Sequence, residues 1–344
     1  MRSAVVLAGG RGERFQLPAK PLVDKALIKI NGETFLERIV ETGLQVANEV
    51  VISTNNKKRG ESYKEVLKSR GFDGFKICID ETDLPLEGPL LGLKSSLKCC
   101  QGPKCLVMPV DVPFMKAEVL ELLFKAGKGW DTAIPVWPNG KIEPLIAHYD
   151  KEQVFETVQV TYKLGKGRIG DTIRGSSKTL FVHVNEFEKV DPKLESFINI
   201  NRLNDLKANR SARVNGELES SVGIERKKLD FDLIKGVLDG IEKANTENAL
   251  SLIGKINHKF WKANLLKELA DKTRKPDFHV KSGEVFLSES KQYRQRKIFF
   301  QELHALIDSD EAFKKAGKSL LDLSNRIDFL FRQIGIIKRR KIRN

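Results

Sequence analysis

The sequence predicts an α/β fold, a doubly wound and mostly parallel sheet, followed by an all-α domain. Short β-branched runs alternate with helical patterns up to about residue 207, and beyond about residue 228 only helical periodicity remains. Between them the stretch 209–223 is polar and dotted with Gly, Ser and Asn, the composition of a connector. Charge divides in the same place: residues 210–344 hold 29 Lys and Arg against 19 Asp and Glu, +10 of the chain's +14. These observations set an α/β domain at 1–207, a linker at 208–228 and a helical domain at 229–344.

With 344 residues, 40% of them hydrophobic and 31% charged, the chain can bury a sizeable core. No apolar run approaches the roughly 18 residues of a membrane span, and the first one is broken too early by Gly9-Gly10-Arg11 to be a secretory signal. A cytoplasmic location is the expectation. The four cysteines, Cys78, Cys99, Cys100 and Cys105, all fall in the first third, so a reducing compartment would keep them as thiols. The spacing Cys99-Cys100-x4-Cys105 offers metal ligands without a matching second pair, which favours small buried thiols.

The first element is the run Ser3–Leu7, stiffened by Val5 and Val6, which enters a loop carrying Gly9, Gly10, Arg11, Gly12 and Arg14. Glycines let consecutive N–H groups turn toward one concavity, and arginines add fixed positive charge, so the loop suits phosphate. A dinucleotide fingerprint would need glycine where Phe15 stands, and no Gly-Lys-Ser/Thr follows for a Walker A loop. Further strands are expected near 49–54, 75–79, 104–110, 131–137, 142–149, 180–184 and 197–200. Thr34–Gly43 reads as a crossover helix ending near Gly43. Asn139-Gly140 between two β patterns signals a hairpin, an antiparallel excursion in the sheet.

Carboxylates stand where strands end. Asp80 closes the run Phe75–Ile79, and Asp111 closes the apolar run from Cys105. A lone carboxylate at a strand tip suits Mg²⁺, which takes one or two protein oxygens and leaves its other positions to water and phosphate; Asp111 equally suits a helix cap. Gly88-Pro89-Leu-Leu-Gly92 opens the helix after Asp80 with glycines that allow a flat ligand close approach, or simply makes a turn.

Leu7-Ala-Gly-Gly-Arg-Gly-Glu-Arg-Phe15, Asp24-Lys25 with Asn31-Gly32, Gly88-Pro-Leu-Leu-Gly92, Asp111-Val-Pro-Phe114, Glu143-Pro-Leu145 and Phe197-Ile-Asn-Ile-Asn201 follow one another in this chain. In that order they resemble the MobA-like nucleotidyltransferases, and within them the molybdenum cofactor guanylyltransferases, over about residues 1–207. The resemblance implies that Leu7, Ala8 and Gly9 contact a nucleotide while Gly10, Arg11 and Gly12 hold its phosphates. It implies that Lys25 neutralises phosphate charge, with Arg11 beside it, that Asp80 binds the nucleotide with Gly88, Pro89 and Gly92, and that Asp111 holds Mg²⁺. Glu143, Asn199 and Asn201 would lie toward the acceptor or a second metal. Where the family pattern has a nucleotide-contacting Asn, this chain has Ser53, with Asn55 two residues on, and the longer segment 16–23 sets Lys20 in competition with Lys25.

The implied reaction is transfer of GMP from GTP to molybdopterin with release of pyrophosphate. A phosphate nucleophile is already ionised at pH 7, so no general base is required, and His148 and His183 read as structural. Cytidylyl transfer, transfer to a sugar phosphate or another cofactor precursor, and a nucleotide-sensing or nucleic-acid-associated binding protein without turnover are the alternatives. In the helical domain, Phe313, Ala316, Leu320, Leu323, Ile327, Leu330 and Ile334 alternate spacings of 3 and 4, either an intradomain helix or the seam of a homodimer or partner. The tail Lys338–Arg343 is a solvated end or a polyanion contact. Every phosphate, metal and nucleotide motif precedes the linker, so the first 207 residues are expected to suffice for catalysis.

Overall fold

The computed structural model describes residues 1–10, 24–81, 88–201, 205 and 212–336. The chain forms two compact units. The first comprises Met1–Pro135, Glu143–Tyr162 and Lys166–Arg213, the second Val136–Ile142, Lys163–Gly165 and Val214–Asn344.

The first unit is built on strands β1 (Arg2–Leu7), β4 (Glu49–Thr54), β5 (Phe75–Ile79), β6 (Lys104–Pro109), β7 (Thr132–Val136), β8 (Ala147–Asp150) and β9 (Lys178–His183). A small antiparallel pair, β2 (Lys29–Ile30) with β3 (Glu33–Thr34), stands apart from them. The sheet order is β9-β7-β8-β6-β1-β4-β5. β1 pairs parallel with both β4 and β6, and β4 parallel with β5. The reversal expected from the Asn139-Gly140 signal is β8, antiparallel to both β6 and β7. Ala4, Val5, Val6 and Val50, Val51, Ile52 are fully buried, as central strands covered on both faces should be.

Helices α1 (Phe35–Val46), α2 (Lys57–Ser69), α3 (Pro89–Cys99) and α4 (Ala117–Ala126) provide the crossovers, followed by α5 (Lys151–Lys163) and α6 (Ile169–Gly175). Thr34 opens α1 with a capping box, its hydroxyl accepting from Glu37 N–H while Glu37 accepts from Thr34 N–H. The helix runs past Gly43 to Val46. Gly43 serves packing instead of termination: a Cβ there would stand 3.0 Å from Val50 and 3.3 Å from the Ala4 Cβ.

Two expected strands are corrected. β8 starts only at Ala147 because Pro144 cannot donate to a ladder and residues 143–146 turn, Ile146 N–H bonding Glu143 O at 3.1 Å. Residues 197–200 make no strand. A 3₁₀ turn spans Glu195–Phe197, Asp191 Oδ2 accepting from Ser196 N–H at 2.8 Å and Leu194 lying in the left-handed region at φ 53°. The cysteine expectation is corrected too. Cys78 on β5 and Cys99 at the end of α3 form a disulfide across 6.5 Å between Cα atoms, because α3 runs back along the strand it follows. Cys100 and Cys105 are buried thiols.

The second unit holds β10 (Val222–Glu225) and helices α7 (Phe231–Glu242), α8 (Thr246–Gly254), α9 (Lys259–Thr273), α10 (Pro276–Gln295), α11 (Phe299–Lys315) and α12 (Leu321–Gln333). Part of the stretch read as linker is built in, with Leu218 and Ile224 each 6% exposed. The tip 136–142 of the β7–β8 connection belongs here as well. Phe300 N–H donates to Gly140 O at 3.0 Å and Leu218 N–H to Pro138 O at 2.9 Å. Gly140 has φ 74°, and a Cβ on it would stand 2.4 Å from Lys297 O. The continuous heptad seam is corrected: the helix stops after Lys315, Gly317 turns the chain at φ 73°, and α12 folds back so that Leu323, Ile327, Leu330 and Ile334 pack with Phe299, Leu303, Leu306 and Phe313. Leu320, in the turn, is 39% exposed. The tail 338–343 lies outside the described residues. Among the described residues no helix is long and apolar enough to cross a membrane.

Candidate active site

Parallel strands that end together deliver their next residues to one edge. Ala8 N–H bonds Ser53 O at 2.9 Å, Val110 N–H bonds Leu7 O at 3.1 Å, and Asp80 N–H bonds Thr54 O at 2.9 Å. Ala8, Asp80 and Asp111 therefore follow the carboxyl ends of β1, β5 and β6, and Ser53 is the penultimate residue of β4, all at the edge where α/β sheets bind ligands.

Two clusters form along this edge. In the first, Lys25 rises from a 3₁₀ turn, Lys25–Leu27, whose start is capped by Asp24 accepting from Ala26 N–H. Its ammonium donates to Asp111 Oδ2 at 2.6 Å and to Asn201 Oδ1 at 2.9 Å. Asn201 arrives because Ile200 N–H is fixed to Asp111 O at 2.8 Å, which ties the segment after the 3₁₀ turn to the tip of β6. Asp111 Oδ1 is buried and has no hydrogen-bond partner among the described residues. An orphaned carboxylate oxygen beside an amide oxygen is a hard-donor set that fits Mg²⁺.

In the second cluster Ser53 Oγ donates to Asp80 Oδ1 at 2.6 Å. Burial pushes the Asp80 carboxyl above the ordinary aspartate value, and the Ser53 hydrogen bond opposes that rise. Two of the sequence-predicted glycines close around this pair. A Cβ at Gly92 would lie 2.8 Å from Ser53 Oγ, and one at Gly9 3.2 Å from Asp80 Oδ2. Gly88 has φ 91° and Pro89 occupies the first turn of α3. The geometry thus brings Gly9, Ser53, Asp80 and Gly92 together, and separately Lys25, Asp111 and Asn201.

Leu7 and Ala8 continue β1 into the exposed Gly10; Arg11 and Gly12, like Arg14 and Lys20, lie outside the described residues. Asn55 is exposed and accepts from Arg59 Nη1 at 3.2 Å. Glu143 is half-buried in the β7–β8 connection, its N–H on Pro135 O at 2.9 Å, and Asn199 is half-buried in the turn before Asn201. His148 is buried 1% exposed against Phe124, and burial, with Lys104 nearby, lowers its pKa to about 4, in keeping with a structural role.

Sequence reasoning passed over Arg59 and Tyr63. Both sit on α2, opened by the Asn56 cap just beyond β4. The Arg59 guanidinium holds Asp24 through Nε and Nη2 at 2.9 and 3.0 Å and donates from Nη2 to Gly10 O at 3.0 Å. Tyr63 Oη lies 2.9 Å from Asp24 Oδ2 and 3.3 Å from Ala8 O. Their i, i+4 spacing was the available signal: it sets both side chains on one helix face directly after a strand tip.

Residues 4–174 match the MobA-like NTP transferase domain. A probable molybdenum cofactor guanylyltransferase of Methanosarcina mazei is 35% identical over 205 residues, 60% of this chain and 88% of that protein. One from Methanosarcina acetivorans is 32% identical over 208 residues, 60% of this chain and 89% of that protein. The crystal structure of molybdopterin-guanine dinucleotide biosynthesis protein A from Archaeoglobus fulgidus is 28% identical, covers 60% of this chain and 95% of that one, and superposes with a TM-score of 0.48. By its match to the domain model and the identity and coverage of the two Methanosarcina relatives, the chain belongs to the MobA-like NTP transferase family and is a nucleotidyltransferase.

Proposed function

We propose that the chain transfers GMP from GTP to the terminal phosphate of molybdopterin, releasing pyrophosphate. The observation that carries this reading is the Lys25–Asp111–Asn201 cluster at the carboxyl edge of the sheet, one cation and one carboxylate oxygen without a partner among the described residues, converging from segments far apart in sequence. The relatives named as guanylyltransferases support the choice of substrates.

The backbone amides around Gly9 and Gly10 receive the triphosphate, and Lys25 neutralises its charge. Ser53 keeps the Asp80 carboxylate turned toward the nucleotide, where it accepts from the base's N–H groups. The acceptor phosphate is already ionised, so these groups bind and orient it in line with the α-phosphorus and no residue need remove a proton. Asp111, with Asn201 beside it, would hold Mg²⁺, which when bound supplies Lewis-acid stabilisation of the leaving pyrophosphate. Glu143 and Asn199 are assigned to the acceptor side.

Pyrophosphate release measured for each NTP, with molybdopterin and with sugar phosphates, tests the proposal. Release confined to GTP with molybdopterin is expected. Release with CTP alone, or with sugar phosphates alone, would overturn the substrate assignment.

A further inference from the structure

The glycine loop leaves β1 at Gly10 and the chain returns at Asp24, so the thirteen residues 11–23 separate two stems that meet one helix face. Arg59 touches both stems. Its Nη2 donates to Gly10 O at 3.0 Å on the outgoing stem, and its Nε and Nη2 grip Asp24 at 2.9 and 3.0 Å on the returning one. Nη1 lies 3.5 Å from Gly9 O. One turn along α2, Tyr63 Oη repeats the arrangement with Ala8 O at 3.3 Å and Asp24 Oδ2 at 2.9 Å.

Asp24 is also connected to the reacting centre. The same carboxylate that Arg59 and Tyr63 hold caps the turn Lys25–Leu27 through Ala26 N–H at 3.1 Å, and Lys25 reaches Asp111 and Asn201 from that turn. The Arg59 and Asp24 side chains are each 20% exposed, so the pair is screened only in part.

We propose that Arg59 and Tyr63 act through Asp24 as a clasp that joins the two stems of the glycine loop and aims Lys25 at the triphosphate site. They are positioning residues; neither needs to touch substrate. The physical basis is twofold. Fixing Asp24 before the ligand arrives fixes the turn that carries Lys25, so less ordering of that turn is left to be done on the ligand. A planar guanidinium presents a fixed fork that holds both oxygens of the Asp24 carboxylate while still reaching the Gly10 carbonyl, a geometry that the compact ammonium of a lysine does not present. The inference rests on the reading of Lys25 and the glycine loop as the triphosphate site.

The test is a double-mutant cycle on the full-length chain, with GTP binding read by fluorescence titration and transfer by pyrophosphate release. Arg59→Ala is expected to weaken GTP binding about tenfold, Arg59→Lys to recover only part of that loss, and Tyr63→Phe to cost about threefold. In a Lys25→Ala background the Arg59→Ala effect should shrink to less than about twofold, because a lysine no longer present cannot be misaimed. A residue that merely stabilises the fold would give additive losses. Additive losses, or full activity in Arg59→Lys, would overturn the clasp. If Lys25→Ala itself leaves GTP binding unchanged, the fault lies in the reading of the site; Arg59→Lys and Tyr63→Phe carry the test should Arg59→Ala fail to fold.

Discussion

Lys25 and Asp111 are joined by a 2.6 Å hydrogen bond between residues 86 positions apart in sequence. The bond uses one oxygen of the carboxylate, and the other is buried with no partner among the described residues. An amide at position 111 matches the carboxylate in shape but carries no charge for either a metal ion or the ammonium. Asp111→Asn should therefore lose transfer by on the order of a thousandfold while keeping its melting temperature within a few degrees. Near-normal turnover at saturating Mg²⁺ would remove Asp111 from the metal site. Lys25→Ala should cost far more activity than Lys20→Ala, and the reverse order would mean that the lysine has been misassigned.

Gly92→Ala separates helix propensity from crowding. Alanine in place of a helical glycine stabilises by about 1 kcal/mol when there is room. Here the new Cβ would stand 2.8 Å from Ser53 Oγ, the donor to Asp80. Nucleotide binding should weaken at least about tenfold with no gain in thermal stability. A variant that is more stable and binds normally would show that the helix can shift.

Asp80 gives a prediction of opposite sign for stability and for binding. Its carboxyl is raised above the ordinary aspartate value by burial, so the folded state holds the proton more tightly than the unfolded chain and loses stability as pH rises through that window. Asp80→Asn should raise the melting temperature at neutral pH while weakening GTP binding. For the native chain, GTP affinity should fall on acidification at a higher pH than an ordinary aspartate would give, and Ser53→Ala should move that midpoint higher still. Titrations of both chains between pH 4 and 7 would check the order of the midpoints.

Glu49 supplies an acid-sensitive contact in the first unit. Burial alone would raise its pKa, but Lys76, Ser3 Oγ at 2.6 Å and Gln101 N–H at 2.6 Å hold it at about 2. Because the folded value lies below the ordinary 4.5, the stabilisation is complete above about pH 4.5 and is lost as pH falls toward 2. Relative to Glu49→Gln, the native chain should lose on the order of 3 kcal/mol of unfolding free energy across that range. Parallel curves for the two chains in denaturant at pH 6 and pH 3 would refute it.

The sheet was legible because the central strands repeat one signal, a short apolar run rich in β-branched residues followed by Gly, Asn or Asp. Lys25 and Asp111 were legible through their neighbours in the family pattern. Arg59 was hidden in Lys57–Ser69, a helix so polar that nothing in its composition separates a buried guanidinium from a solvated one; only tertiary placement of Asp24 makes the difference. Asn201 was expected at the end of a strand and instead follows a 3₁₀ turn, since a run of Phe, Ile and Asn reads equally as strand and as a tight turn held by Asp191. The heptad spacing was real and its continuity was not. Gly317 interrupts it, and the apolar residues on either side satisfy one another within α11 and α12.

The hairpin tip 136–142 has a consequence for how such a protein can be recombined. Trp137 and Ile142, at 3% and 1% exposure, are encoded within the sheet's own sequence yet packed in the unit that holds the C-terminal helices. Any chain ending near residue 210 would carry that tip without Phe300 and Leu218 to receive its carbonyls. Removing the C-terminal helices would therefore leave the Gly140 carbonyl without its donor. Grafting them onto another enzyme of the family would require transplanting a seven-residue hairpin from inside the recipient's catalytic domain, so that the two regions have to be inherited as a matched pair.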